Sequence, residues 1–401
     1  MPKRIGYLYE RLCDRDLIRT AIIVGSRGKR KRRDVIRVLK DADSYTEQMY
    51  RLVSQGKFSP TPPKPKKIID LSSRKERTIS IVPFYPDGIM HQMLVNVMKD
   101  VLMRGMYPYT CASIPGRGGK YAADYVKRAL KHPKNTKYCL KLDIKKYYPS
   151  ISVSCLMNEL RRKIKDERFL SVVESVVSQS ADGGLAIGYY INQWLANFYL
   201  EPLDHYIVSL PGVRYYVRYM DDMVILGPNK RKLHRARKEI EKFAQDRLRL
   251  HIKGNWQVFP VSARGIDFVG YRFYHTHTIL RRRNFLKFVR QCRKIHKSNE
   301  NGKALRFREA AGFISRFGAL KHCDSCIMRK KYASGIEIKK LKNVVREMSK
   351  TCIPSVLYGG GDFNRGDIGC WDGEIYESTM DDNIWPPDDV PGGWIRTEVE
   401  T

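Results

Sequence analysis

Three carboxylates stand out by where they fall along the chain. Asp143 closes on the apolar run Tyr138 to Ile144, and Asp221 with Asp222 lie about 80 residues later, between the β-rich runs Val213 to Tyr219 and Met223 to Leu226. Such runs on either side of an acidic pair predict a hairpin with two carboxylates at its tip. Oxygen donors arriving from two separate backbone elements suit a pair of hard divalent cations roughly 3.5 to 4 Å apart. Such ions lower the pKa of a hydroxyl and bind a triphosphate, whose oxygens complete the octahedra together with water. Singly, an Asp at a strand end or an Asp-Asp turn is ordinary turn chemistry. The chemistry requires that the two strands be neighbours.

The elements that must position these acids follow from periodicity. Residues 5 to 25 have apolar positions near helical spacing, and the cationic run Arg27 to Arg33 follows them, either as a solvated loop or as a phosphate contact. Ser59 to Lys67 has four prolines in nine residues and predicts an extended connector. Thr78 to Phe84 alternates like a strand, and Gly88 to Leu102 has the spacing of a buried helix. Ser152 is a candidate N-cap for a helix through Lys163, with further helices expected at Arg168 to Ser178, Tyr190 to Val208 and Lys230 to Leu250. Trp256 to Val261 and Phe268 to Tyr274 return to strand, and Asn284 to about Met348 is helical and strongly basic. The order predicts an α+β domain with an antiparallel sheet.

Composition narrows the class of partner. Lys and Arg total 75 against 42 Asp and Glu, giving +33 and a pI near 9.8, so a polyanion, most simply nucleic acid, is the expected partner. From Tyr358 onward 11 acidic residues face 2 basic ones, net −9, which leaves +42 on residues 1–357. If six to ten of those cations met phosphates, affinity would fall by roughly 10³ to 10⁵ between 50 and 200 mM salt. The tail from Gly359, with GGG, PP and PGG among many acids, reads as irregular or disordered. Nine scattered cysteines describe no disulfide framework, and His322-Cys323 with Cys326 lacks a second ligand pair at zinc-finger spacing, so a reducing cytoplasm is expected. Neither a secretory h-region nor a membrane-length apolar run is present, and no membrane partner is expected.

Six sequence blocks, in family order over residues 70 to 275, resemble reverse transcriptases. LDIKKYYPSI at 142 to 151 is similar to their first catalytic block, and Tyr219-Met220-Asp221-Asp222 to their YxDD box. Lys75 to Ile79 resembles the fingers strand, Ile114 to Gly118 the following block, Ala186-Ile187-Gly188 through Gln193 the block lining the incoming nucleotide, and Phe268-Val269-Gly270-Tyr271 the primer grip.

The resemblance implies a right-hand polymerase fold, fingers and palm plus a helical thumb, and an RNA-directed DNA polymerase using two Mg²⁺ ions, with Mn²⁺ as a substitute. It divides the chain into an N-terminal basic extension at 1–68, fingers and palm at 69–283, a basic thumb at 284–350 and an acidic tail at 351–401. Asp143, the carbonyl of Ile144, Asp221 and Asp222 would hold metal. Lys75, Arg77, Tyr148, Ile187, Gly188 and Gln193 would meet the nucleotide, with Tyr148 as the steric gate against a ribose 2′-hydroxyl; the other reading of Tyr148 is a core aromatic. Arg117, Tyr219, Met220, Gly270 and Tyr271 would contact template and primer. Lys253 lies near the family's lysine that protonates leaving pyrophosphate, although its local match is loose.

Within the family, Ile187-Gly188 in place of Gln-Gly, together with RIGYLYERLCD, SIPGRG and FVGYRFYHTHTILRR, resembles the enzymes of diversity-generating retroelements. That group makes cDNA inaccurately at template adenines and works with a template RNA and a small basic accessory protein. Asn192-Gln193 departs from its usual Ser-Gln, and Tyr189-Tyr190 predict a bulkier pocket lip. Two other readings compete: a bacterial defence or group II intron-like reverse transcriptase, and a non-catalytic RNA-binding protein on a polymerase scaffold, against which the three acids stand.

Overall fold

A computed structural model describes residues 4–70, 75–180, 183–302, 305–350, 368–371, 374–379 and 394–396. The chain forms two compact units. The first comprises Met1–Gly25, Asp41–Val269 and Phe273–Thr276; the second comprises Ser26–Lys40, Gly270–Arg272 and His277–Thr401.

The first unit opens with two short helices, Leu8–Leu12 and Arg15–Gly25, where one helix was expected over residues 5 to 25. The break falls at Cys13 and Asp14, whose carboxylate accepts from the Asp16 N–H and starts the second helix. A hairpin follows, β1 (Lys64–Asp70) with β2 (Lys75–Ile81), in antiparallel register from Lys64 opposite Ile81 to Asp70 opposite Lys75. The end of the proline-rich connector is thus drawn into a strand. Pro65 has no N–H to offer, which a two-stranded ribbon with two open edges tolerates.

The helix Ile89–Met103 is apolar on nearly every side and is buried accordingly, with Ile89, Met90, Met93, Leu94, Val97 and Met98 all inaccessible to solvent. The segment read as one helix from Tyr190 to Val208 is two, Tyr190–Tyr199 and Glu201–Ser209. Pro202 occupies the first turn of the second, where its missing N–H costs nothing, and it cannot continue the first.

These helices flank a five-stranded sheet in the order β3-β5-β6-β4-β7, where β3 is Thr110–Cys111, β4 Tyr138–Asp143, β5 Tyr215–Tyr219, β6 Asp222–Gly227 and β7 Gln257–Pro260. All neighbours are antiparallel except β3, which runs parallel to β5. Ser152 caps the helix Val153–Arg161, accepting from the Cys155 N–H at 3.3 Å.

Short strands β8 (Ile266–Phe268), β9 (Tyr271–Phe273) and β10 (Thr278–Leu280) carry the chain between the units; Gly270, at φ +90°, splits what was expected as one strand. The second unit holds the helices Arg33–Lys40, Arg282–Glu300, Phe307–Ala319, Cys326–Ala333 and Ile338–Lys350, all of them basic except Phe307–Ala319, which is mostly apolar. Phe288 and Phe313, both buried with ring centroids 6.0 Å apart, anchor its core. The expected acidic tail, 351–401, lies mostly outside the described residues. Its described parts, β11 (Ile368–Trp371), β12 (Glu374–Ser378) and β13 (Trp394–Arg396), make an antiparallel meander that composition did not announce. No helix among the described residues is long and apolar enough to cross a membrane.

Candidate active site

The register of the five-stranded sheet brings the acids together. β4 lies beside β6 with Asp143 opposite Asp222, and β5 lies beside β6 with Tyr219 opposite Asp222. The loop of the hairpin is therefore only Met220-Asp221. A two-residue loop demands positive φ at its first position to match the twist of its strands, and Met220 adopts φ 54° although it is not glycine.

Alternation then sorts the side chains. Lys141, Asp143, Asp222 and Tyr219 share one face of the sheet, while Leu142, Met223, Tyr216 and Arg218 share the other. On the first face each acid has a lysine: Lys253 Nζ is 2.5 Å from Asp143 Oδ2, and Lys141 Nζ is 2.5 Å from Asp222 Oδ1, with the Lys141 ammonium also 4.8 Å from the centre of the Phe268 ring. Asp143 Oδ1 is buried, and no donor among the described residues reaches it. Burial, and then the negative charge of Asp143 beside it, push the Asp221 carboxyl up to about 6. The structure thus joins Asp143 and Asp221 as a mutually repelling pair and draws Asp222 towards Lys141.

The backbone supplies a further oxygen. Ile144 forms a β-bridge with Ile252, and the bonds on either side run from the Lys145 N–H to the His251 carbonyl at 2.9 Å and from the Lys253 N–H to the Asp143 carbonyl at 2.8 Å. In that pattern the polar groups of Ile144 point away from Ile252, towards the edge that carries the acid hairpin.

Two carboxylates, one of them with an orphaned buried oxygen, and an outward carbonyl are hard donors that fit Mg²⁺. Among the described residues no group of three or more His, Cys, Asp or Glu side chains is placed to hold a metal ion, so the protein's own donors here are two carboxylates and a carbonyl. An open half-shell is what a site leaves when substrate phosphates must supply the remaining ligands.

The remaining residues expected at the site fall into three groups. Tyr148 is half-buried; burial and then the charge of Asp221 push its hydroxyl pKa well above the ordinary tyrosine value, so it lies within electrostatic reach of the acids. Its neighbour Tyr147 is the core aromatic, buried and donating to the Ala196 carbonyl.

Ile187 and Gly188 lie against the fingers strand: the Ser80 N–H donates to the Ile187 carbonyl at 2.7 Å, and a Cβ on Gly188, which has φ +117°, would meet the Ser80 carbonyl oxygen at 2.4 Å. Asn192 is buried and donates to the Ala186 carbonyl at 3.0 Å, holding this turn from inside, while Gln193 on the next position of the helix is only partly covered. Tyr189 packs its buried ring on His91, centroids 4.6 Å apart, so it does not form the bulky lip expected of it.

Arg77 is exposed on β2, and Lys75 starts that strand. Arg117 turns back on its own loop, donating to the Tyr107 carbonyl at 3.3 Å. Gly270 and Tyr271 belong to the second unit, where the Gly270 carbonyl accepts from the Arg281 N–H at 3.0 Å and the Tyr271 hydroxyl donates to the Ala319 carbonyl at 2.9 Å.

Sequence reasoning passed over the residues behind the hairpin. Arg218 and Asp204 have no solvent exposure and form a two-pronged ion pair at 2.8 and 2.6 Å. Asn197, Thr110 and Tyr216 complete the network. Burial opposes the guanidinium charge, but Asp204 outweighs it and holds the Arg218 pKa above its ordinary value. The signal was available: Arg218 is in phase with the buried side of its strand, and Asp204 sits between Leu203 and Ile207 on an apolar helix.

Comparisons with known proteins bear on the same region. No curated protein matches the sequence significantly. Solved structures that match include telomerase from Candida tropicalis in complex with the TWJ fragment of telomeric RNA, 11% identical with TM-score 0.45 over 77% of this chain and 62% of that one. The corresponding telomerase complex from Candida albicans is 14% identical with TM-score 0.41, over 74% and 61%. The chain spans about three fifths of the length of these telomerase chains. The family model "Reverse transcriptase (RNA-dependent DNA polymerase)" matches residues 63–273, more than half of the 401 residues, and takes in β1 and β2, the whole five-stranded sheet and the acid hairpin. The chain belongs to the reverse transcriptase family, with the right-hand polymerase fold.

Proposed function

We propose that this chain is an RNA-directed DNA polymerase that makes cDNA on an RNA template by two-metal nucleotidyl transfer, and that it serves a diversity-generating retroelement. The observation that carries the polymerase reading is the sheet register, which sets Asp143 across from Asp222 and leaves Asp221 in the hairpin loop. Asp143, Asp221 and the Ile144 carbonyl would hold the ions, with Asp222 assisting, and the ions when bound would activate the primer hydroxyl and neutralise the triphosphate.

The chain's own residues do the rest. Tyr148, beside Asp221, closes the site against a 2′-hydroxyl. Arg77 offers a planar fork of donors to the triphosphate. Lys253, already within hydrogen-bond distance of Asp143, is the candidate proton donor to the departing pyrophosphate. The excess of positive charge supports an extended contact with template RNA and the cDNA–RNA duplex, and the acidic C-terminal sequence suits a small basic accessory protein.

The retroelement reading is supported by Ile187. Its carbonyl accepts from the Ser80 N–H, which ties this turn to β2, and by the resemblance its aliphatic side chain would stand where the family's glutamine hydrogen-bonds near the nucleotide. Removing that polar check lowers the discrimination that an unpaired buried group would impose on a wrong base pair.

The test is magnesium-dependent extension of a primer on an RNA template, which Asp221→Asn should abolish. Preferential misincorporation opposite template adenine, reduced in Ile187→Gln, is expected of the retroelement enzyme. Equal accuracy at all four template bases would remove that assignment while leaving the polymerase in place.

A further inference from the structure

The loop that presents Asp221 is strained, and one side chain reaches it from behind. Met220 holds a positive φ that non-glycine residues adopt only when their surroundings over-determine it. Its N–H donates to the Cys111 carbonyl at a long 3.3 Å, whereas its carbonyl accepts from Arg218 Nη1 at 2.9 Å.

Arg218 is itself held by everything around it. Nε and Nη2 grip the two oxygens of Asp204, Nη1 also donates to Asn197 Oδ1 at 3.1 Å, and Nη2 donates to the Asn197 carbonyl at 3.1 Å. Asp204 is fixed in turn by the Tyr216 hydroxyl at 2.6 Å and the Thr110 hydroxyl at 2.9 Å, and the Asn197 amide donates to the Ala112 carbonyl at 2.9 Å. All five donors of the guanidinium are used, and only one of their partners belongs to the hairpin loop.

We propose that Arg218 is a positioning residue: anchored by Asp204 and Asn197 on the helix side of the sheet, it clamps the Met220 carbonyl and so fixes the direction in which Asp221 faces Asp143. A buried ion pair serving the fold alone would be satisfied by Asp204 and Asn197, whereas this one spends a fixed donor on the most strained peptide of the hairpin. The role in turnover rests on the polymerase reading; the mechanical claim does not.

Two variants test it in the full-length chain. Arg218→Lys keeps a charge beside Asp204 but replaces a rigid fork with a single nitrogen that cannot span both ends. The paired variant Arg218→Gln with Asp204→Asn removes both charges, so no unpaired ion is left to unfold the protein.

Amide hydrogen exchange over residues 217–224 should speed up by at least about tenfold in each, with exchange in the helix Ile89–Met103 unchanged. For nucleotide addition, kcat should fall by at least about tenfold with KM for the dNTP within about threefold, the mark of an interaction felt in the transition state. Exchange at 217–224 that stays as in the wild type, or that rises equally throughout the first unit, overturns the proposal. The exchange measurement needs no polymerase activity, so a wild-type chain that fails to extend primers would sink the proposed function and leave this test standing.

Discussion

Two charged clusters lie back to back on the same hairpin, and they differ in one respect. Behind the sheet, Arg218 and Asp204 are wholly buried, and every donor of the guanidinium has an acceptor. In front, Asp143 and Asp221 are pressed together with one carboxylate oxygen unsatisfied and one carboxyl pushed up to about 6. A satisfied buried charge specifies a structure, and an unsatisfied one states what is missing from it. The two clusters meet at Met220, whose carbonyl the rear guanidinium holds at 2.9 Å.

The largest effect that would break this comparison is at the front. Asp221→Asn should lower primer extension by about 10³-fold or more, since a metal-holding carboxylate stabilises several kcal/mol of transition-state charge. Single-turnover extension on an RNA template measures it, and a loss of less than tenfold would place the chemistry elsewhere.

At the rear, Arg218→Met should destabilise by about 3 to 5 kcal/mol, because it strands Asp204 as a buried charge. Urea denaturation followed by circular dichroism reads this directly. A cost below 1 kcal/mol would mean that the rear cluster is no better satisfied than the front.

Gly188→Ala is expected to cost about 1 to 3 kcal/mol, from a strained φ and a clash with backbone that cannot turn aside. The loss should be accompanied by weaker dNTP binding, because the turn and the fingers strand must part.

The smallest effect sharpens the comparison most. A carboxyl whose pKa is raised on folding binds more protons in the native state than in the unfolded one, so metal-free stability falls as pH rises from about 4 through about 6. Asp221→Asn should flatten that slope and stabilise the metal-free protein by about 1 to 2 kcal/mol at pH 7, opposite in sign to its effect on activity. Thermal unfolding at pH 4.5 and 7 in EDTA distinguishes the two outcomes.

The acids themselves were legible because their chemistry is local. An Asp ending an apolar run, and an Asp pair between two β-rich runs, state their element and their place on it. The buried helix Ile89–Met103 and the Ser152 cap were equally plain, since apolar periodicity and a side-chain oxygen before a helix act within one turn. The break between Tyr199 and Glu201 was missed although Pro202 marked it, because apolar spacing runs on through both helices. Gly270 likewise divides a run whose composition is β throughout. Arg218 was read as one more residue of a strand, since a charged side chain declares its burial only through its partners.

What the sequence determined alone was the inventory: one apolar strand ending in a carboxylate, an acidic pair between two β-rich runs, a basic chain, and family blocks in their order. What only tertiary structure decided was pairing. The strand register set Asp143 opposite Asp222, and packing between elements placed Lys253 on Asp143 and Lys141 on Asp222 and buried Tyr189 while Tyr148 stayed near the acids. Partners brought together from residues 110, 197, 204 and 218 cannot be read from spacing, because the force that selects them is the cost of leaving a charge without a partner in a place that water does not reach.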